Sequence, residues 1–204
     1  MNEFETLSER QRKHVLYTWT AQGSARPVGI QTGQGAEFTD HEGKVWLDFE
    51  SQVFNCNAGH GQTRITDAMV AQAEQLACAH PAAVFERKAA LGEALARVTP
   101  EGIDKFFLCL SGAEAVENAY KIARMVTGRH KVIARRRSYH GASMGALALT
   151  GDWRRMAMEP GVGGVIRMED PYCYRCPYGL SKSNCGTRCA TDLERILELE
   201  GPDT

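Results

Sequence analysis

The sequence lacks a strong charge of one sign and a long apolar run. Its 24 Lys and Arg residues almost balance 25 Asp and Glu residues, so the formal net charge is −1 and gives no overall basis for binding nucleic acid. No apolar stretch approaches the roughly 18–20 residues that a membrane span needs, and the polar residues 1–5 do not resemble a signal peptide. Arg135-Arg136-Arg137 is the densest basic run, and a solvated strand end explains it better than a nucleic-acid patch. We predict neither a nucleic-acid nor a membrane partner.

The sequence has seven cysteines without an export signal, which indicates a reducing, cytoplasmic location. Four of them, Cys173, Cys176, Cys185 and Cys189, are spaced as C-x2-C-x8-C-x3-C. This spacing could form a four-thiolate zinc site. Free thiols in a surface loop are the favoured interpretation, disulfides the least favoured, and we assign no metal ligand.

The hydrophobic pattern predicts helices that alternate with strands, which is typical of βαβ units and a mostly parallel sheet flanked by helices. A short helical pattern opens the chain, an irregular loop covers 21–35, and a β-hairpin joins 36–40 to 44–49. The remaining predicted helices cover 63–79, 85–98, 112–126, 142–149 and 191–199, and the predicted strands cover 106–110, 131–135 and 164–168. Three sheet strands are few for such a domain, so the domain is predicted to be incomplete.

One strand–turn–helix segment stands out, because the predicted strand 106–110 ends at Ser111-Gly112 and a helix follows at once. Val116, Tyr120, Ala123 and Thr127 share one face of that helix. The unpaired N–H groups and the dipole of a helix N-terminus suit a phosphate, and glycine lets an anion approach the backbone. A plain strand-to-helix turn with a serine N-cap explains this segment equally well.

A second segment, Tyr139-His140-Gly141, follows the next strand, at the sheet edge where α/β proteins bind ligands. An aromatic side chain there can stack on a flat ring whose phosphate lies at the Gly112 turn. Together the two segments indicate an aromatic phosphate cofactor.

With these motifs, the sequence resembles the class III aminotransferases, which are pyridoxal-phosphate enzymes of fold type I. The resemblance rests on the runs 111–115 (Ser-Gly-Ala-Glu-Ala) and 138–142 (Ser-Tyr-His-Gly-Ala) in family order and spacing. Asp48-Phe49 followed by 57–61 (Asn-Ala-Gly-His-Gly), and the run 145–151, support it. The resemblance covers essentially the whole chain.

The resemblance implies roles for seven residues. Ser111, Gly112 and Ala113 would hold the cofactor phosphate, and Tyr139 would stack on the pyridine ring with His140 beside it. Phe54 would line the substrate pocket, as would Trp19 from a neighbouring subunit. The partners implied are an amino donor, a 2-oxo acid acceptor and, for the complete protein, a second copy in a homodimer.

The resemblance also implies that a C-terminal half is missing. The lysine that binds the cofactor covalently and the aspartate that pairs with its pyridine nitrogen lie in later segments of the family. None of the seven lysines here has a matching context, so we assign no catalytic residue and expect the isolated chain to be inactive.

The predicted division places part of the small domain, with its hairpin, at 1–61 and a truncated part of the large cofactor-binding domain at 62–204. The predicted function is the N-terminal portion of a transaminase that moves an amino group from an amine or ω-amino acid to a 2-oxo acid. The alternative functions are a non-catalytic phosphate-binding or regulatory module and a metal-stapled interaction domain built on the cysteines.

Overall fold

The computed structural model describes residues 3–204, so the first two residues of the polar N-terminal stretch lie outside the described part. The chain divides into two compact units, one ending at Phe85 and the other spanning Glu86–Thr204. The predicted division at 61/62 into parts of a small and a large domain stays a prediction.

The first unit is built around a three-stranded antiparallel sheet with the order β1-β2-β3. The strands are β1 (Ile30–Gln34), β2 (Glu37–Asp40) and β3 (Val45–Leu47). The hairpin of β2 and β3 confirms the prediction, whereas the irregular loop predicted over 21–35 is wrong at its end, because β1 pairs with β2 there. The helices of this unit are α1 (Glu3–His14), the single turn α2 (Ser51–Phe54) and α3 (Thr63–Leu76).

An aspartate at the end of β2 fixes the hairpin turn. One carboxylate oxygen of Asp40 accepts hydrogen bonds from the backbone N–H groups of Glu42 and Lys44 at 2.9 and 3.0 Å, and the other accepts from the Trp46 indole at 2.7 Å. The Trp46 ring stacks on Phe38 across the pair of strands, with 6.2 Å between the centroids. The register is therefore set at both the turn and the strands.

The second unit combines a two-stranded parallel sheet with helices. Strand β4 (Val132–Arg135) pairs in parallel with β5 (Val165–Met168), as the alternating pattern predicts. The helices are α4 (Glu86–Ala96), α5 (Gly112–Thr127), α6 (Met144–Leu149) and α7 (Arg188–Glu200). Each lies within one of the predicted helical segments or overlaps it closely.

The core of this unit lies between α5 and the sheet. Tyr120 of α5, Ala134 of β4 and Leu149 of α6 are buried together, and Val116 and Val165 pack against them. The predicted apolar face of α5 is thus the one that meets β4. Helix α5 ends at Gly128, whose φ of 69° and N–H bond to the Arg124 carbonyl make it the predicted C-terminal stop.

The strand predicted over 106–110 is wrong. Residues 103–109 have no strand or helix, and no described strand pairs with them. Phe107 is 66 % exposed and Leu110 is fully exposed. An extended segment becomes a strand only when a neighbour completes its hydrogen bonds, so the apolar run is present without the partner that would order it.

Two predicted apolar helix faces are also largely uncovered. Met69 on α3 is 66 % exposed and Leu91 on α4 is 45 % exposed, while Val98 beyond α4 is 79 % exposed. Much apolar surface is therefore open to solvent or to a partner.

Helix α7 is held by a buried carboxylate. Asp192 accepts two hydrogen bonds from Arg195, at 2.8 and 3.0 Å, and one from the Tyr178 hydroxyl at 3.1 Å. The Arg195 interaction, with the Tyr178 bond and nearby Arg188, lowers the pKa of Asp192. Among the helices of the described residues, none has the length and apolarity to cross a membrane.

Candidate cofactor site

The N-terminus of α5 is capped by Ser111 and Glu114, in a variant of the capping box. Ser111 has extended dihedral angles, and its hydroxyl accepts a hydrogen bond from the Glu114 N–H at 3.2 Å. In return, the Glu114 carboxylate accepts one from the Leu110 N–H at 2.9 Å. The Ser-x-x-Glu spacing is the sequence signal for this arrangement, and only its serine half was predicted.

Two N–H groups at this N-terminus remain for a ligand. The Ala115 N–H donates to the Ser111 carbonyl and begins the helix, whereas the N–H groups of Gly112 and Ala113 find no acceptor within residues 3–204. A Cβ built on Gly112 would meet no atom within 4 Å, so the space on the side-chain side of Gly112 is open. With 16 residues of helix dipole behind it, the turn fits the phosphate of a cofactor.

The loop after β4 carries the predicted aromatic platform. Tyr139 is 45 % exposed, and the Arg154 guanidinium carbon lies 4.8 Å from its ring centroid. Just before it, the Ser138 hydroxyl donates to the Arg135 carbonyl at 2.6 Å, and the Ser138 carbonyl accepts from the Gly151 N–H at 2.9 Å. These bonds fix the backbone on which Tyr139 is displayed.

His140 is held from behind by α6. Its backbone N–H donates to the hydroxyl of the fully buried Thr150 at 3.1 Å, and that hydroxyl donates to the Ala146 carbonyl at 3.0 Å. Burial, and secondarily the charge of Arg135, lower the pKa of the His140 imidazole. The ring is therefore neutral at physiological pH.

The loop that carries Tyr139 and His140 contacts the turn at Gly112 and Ala113 directly. A Cβ built on Gly141 would lie 2.6 Å from the Ala113 Cβ and 2.7 Å from its Cα, and the φ of Gly141 is +136°. Only glycine allows the two backbones to approach this closely. The structure thus brings Ser111, Gly112 and Ala113 together with the loop of Tyr139 and His140, as the resemblance implies.

The two predicted substrate-pocket residues belong to the other compact unit. Phe54 ends α2, a left-handed turn in which Ser51, Gln52, Val53 and Phe54 have φ between 50° and 66°. Its side chain is 74 % exposed, and that of Trp19 is 42 % exposed. Consecutive left-handed residues other than glycine are costly and are found mainly at functional sites. Their roles at a substrate pocket stay predictions.

The left-handed turn is anchored by the aspartate of the second family motif. Asp48 accepts hydrogen bonds from the Gln52 backbone and side chain, at 3.3 and 3.0 Å, and its Oδ2 lies 2.8 Å from His60 Nε2. The bonds from Gln52 and then from His60 lower the pKa of Asp48. Asp48, Gln52 and His60 therefore join both ends of the 48–60 segment, a link that the sequence motifs alone did not predict.

The cysteine cluster shows no preformed metal geometry. Within residues 3–204, no group of three or more His, Cys, Asp or Glu side chains is arranged to hold a metal ion. All seven cysteines are free thiols. The four clustered ones, Cys173, Cys176, Cys185 and Cys189, line one cavity.

Comparisons with known proteins identify the family. A family model described as Aminotransferase class-III matches residues 19–203. The chain belongs to the class III aminotransferases. It is 32% identical to the adenosylmethionine-8-amino-7-oxononanoate aminotransferase of Geobacter sulfurreducens, over 95% of this chain and 46% of that protein. It is 37% identical to the acetylornithine aminotransferase of Archaeoglobus fulgidus, over 70% and 36%, respectively.

Solved structures of class III transaminases confirm the predicted fold class. Taurine:2-oxoglutarate aminotransferase from Bifidobacterium kashiwanohense, solved in complex with PLP and glutamate, matches with a TM-score of 0.85 and 32% identity, over 100% of this chain and 47% of that one. An (S)-enantioselective ω-transaminase from Thermomicrobium roseum matches with a TM-score of 0.89 and 31% identity, over 100% and 48%. The chain is a partial α/β fold of fold type I and spans about half the length of these relatives.

Family membership identifies the cofactor and weighs against the alternative function of a non-catalytic module. Pyridoxal phosphate is the cofactor of this family, and the open turn at Gly112 and Ala113 fits its phosphate. The match along residues 19–203 does not favour a non-catalytic module.

Proposed function

We propose that this chain forms the cofactor-binding N-terminal portion of an aminotransferase that moves an amino group from an amine or ω-amino acid to a 2-oxo acid. The observation that carries the proposal is the contact of the Gly141 loop with Ala113. This contact, which lies within one compact unit, supports the proposal that Tyr139 serves as an aromatic platform beside the N-terminus of α5. Pyridoxal phosphate supplies the electron sink of such a reaction when bound.

Each site residue has a defined role in this proposal. The N–H groups of Gly112 and Ala113 donate to the phosphate, and the Ser111 side chain keeps α5 capped behind them. The pyridine ring stacks on the Tyr139 phenol, which Arg154 already contacts. Neutral His140 lies next to it and adds no positive charge near the ring.

The resemblance assigns substrate recognition to two residues of the first unit. Phe54 and Trp19 would line the substrate pocket, with Trp19 contributed by the second copy of a homodimer. The left-handed α2 turn supports this role, because strain of that kind is kept where function requires it. We propose a cytoplasmic location from the seven free cysteines.

In this proposal, proton transfer at the substrate carbon needs the lysine that the resemblance assigns to a later segment of the family. Of the lysines, Lys105 and Lys121 are the ones nearest in sequence to the Gly112 turn, and neither contacts it through a hydrogen bond or ion pair within the described residues. We therefore expect no turnover from the 204-residue chain alone with pyridoxal phosphate, several amines and pyruvate.

The test is complementation with a separately expressed C-terminal half of a class III relative. The pair should bind pyridoxal phosphate and form alanine from pyruvate, and Tyr139→Ala in this chain should reduce both. Turnover by the chain alone that disappears when one of its own lysines is changed would refute the assignment of roles. A folded pair that binds no cofactor would refute the proposed function.

A further inference from the structure

The carboxylate of Glu117 links the two segments of the cofactor site. It lies on α5, five residues after Gly112. One of its oxygens, Oε1, accepts three hydrogen bonds: from the Ser143 hydroxyl at 2.6 Å, the Gly145 N–H at 2.8 Å and the Ala146 N–H at 3.2 Å. All three donors lie at the beginning of α6, directly after the loop that carries Tyr139.

Glu117 takes the place of the cap that α6 lacks. Ser143 occupies the N-cap position, but its side chain accepts no capping bond from its own helix; it donates to Glu117 instead. A carboxylate is the strongest partner for the exposed N–H groups of a helix start. The Ser143 bond, then those from Ala146 and Gly145, lower the pKa of Glu117, so the acceptor is an anion at neutral pH.

Two contacts attach the 141–145 segment to α5. At its start, Gly141 rests against Ala113, one residue after Gly112. At its end, a Cβ built on Gly145 would clash with the Glu117 carboxylate, so the backbone there packs directly against that side chain. The first contact depends on backbone shape alone, whereas the second depends on a charged side chain.

We infer that Glu117 is a positioning residue of the cofactor site, which fixes the loop of Tyr139 and His140 against the N-terminus of α5. This inference rests on the proposed function. Inorganic phosphate needs only the N–H groups of α5, but an aromatic phosphate needs those groups and the platform at one fixed separation. Glu117 therefore controls the preference for pyridoxal phosphate over free phosphate.

The binding test compares Glu117→Ala and Glu117→Gln with the unmodified 204-residue chain, alone and paired with the complementing half. We expect Glu117→Ala to raise the Kd for pyridoxal phosphate about tenfold and to change the Kd for inorganic phosphate less than about twofold. Glu117→Gln keeps an acceptor oxygen and should recover part of the loss. Asp192→Ala, which removes a buried carboxylate from α7, is the matched control for lost stability and should leave both Kd values unchanged.

A double variant tests whether Glu117 acts through the platform. If it does, adding Tyr139→Ala to Glu117→Ala should cost less than the sum of the two separate losses. Full additivity, or equal weakening of phosphate and pyridoxal phosphate, would overturn the inference and leave Glu117 a general structural residue.

Hydrogen exchange tests the contact without any ligand. In Glu117→Ala the amides of Gly145 and Ala146, and the preceding loop, should exchange at least tenfold faster, while the amides in the middle of α5 keep their protection. Unchanged exchange would overturn the inference. If the unmodified pair binds no pyridoxal phosphate, the proposed function and the cofactor role of Glu117 both fail; binding that Glu117→Ala leaves intact overturns the inference alone.

Discussion

Gly112→Asp should separate cofactor binding from folding, because the structure predicts opposite effects on the two. Gly112 is exposed, a Cβ there meets nothing within 4 Å, and its φ is not among the positive ones. The new side chain therefore fits without strain. An acidic residue in the first turn of a helix stabilises it by about 0.3–1 kcal/mol, so the melting temperature should hold or rise.

The same carboxylate should repel the cofactor phosphate. For charges of −1 and about −2 that are about 5 Å apart, the repulsion is about 1.7 kcal/mol at the dielectric constant of water and about 6.6 kcal/mol at an effective constant of about 20. Since Ser111 and Gly112 are both exposed, water screens the two charges, and the lower repulsion energy applies. It corresponds to a rise of about twentyfold in Kd.

Gly112→Asn is the matched control, because it adds nearly the same volume without the charge. The assay is equilibrium titration of the paired chain with pyridoxal phosphate, in competition with inorganic phosphate, beside a thermal melt of each variant. The loss of cofactor affinity in Gly112→Asn measures the steric effect, and the further loss in Gly112→Asp measures the effect of the charge. Equal affinities of the folded Asp and Asn variants would refute an anion at this helix N-terminus.

Three further predictions concern the whole chain. We expect self-association of the isolated chain, because strands β4 and β5 each leave one edge unpaired within the described residues; a monomer in sedimentation that unfolds cooperatively in urea would contradict this. The free energy of unfolding should fall as the pH drops below 6.5, the ordinary pKa of histidine, because the folded state keeps His140 neutral and its pKa low. His140→Asn should reduce the dependence of the free energy of unfolding on pH below 6.5. An unchanged dependence would contradict the lowered pKa of His140 as its cause. Protein purified without an affinity tag should contain substoichiometric zinc, and one zinc per chain that survives dialysis would restore the four-thiolate site.

The local features of the site were predictable because their signals are local. Ser111 before a helical pattern, Gly128 at its end and the aromatic after β4 each depend on a few neighbouring residues. The capping partner Glu114 has an equally local signal in its spacing from Ser111, although only the serine was predicted. The position of Glu117 had no such signal, since its three donors lie 26 to 29 residues further along the chain.

The strand predicted over 106–110 failed for the opposite reason. Its apolar residues favour a buried strand, but pairing depends on a neighbour, and none of the described strands lies beside it. The same holds for the apolar faces that include Met69 and Leu91, which the pattern buries and the structure exposes. An apolar pattern in the sequence indicates which surface is to be buried, but it does not indicate which element buries it.

The contact between Gly141 and Ala113 also sets a limit on engineering this chain. Because a Cβ on Gly141 would meet the Ala113 Cα as well as its Cβ, shortening residue 113 to glycine cannot make room for a larger residue at 141. In a saturation library, position 141 should therefore be depleted of every variant, and no second-site change at 113 should rescue them. Directed evolution that starts from this loop should therefore keep Gly141 constant.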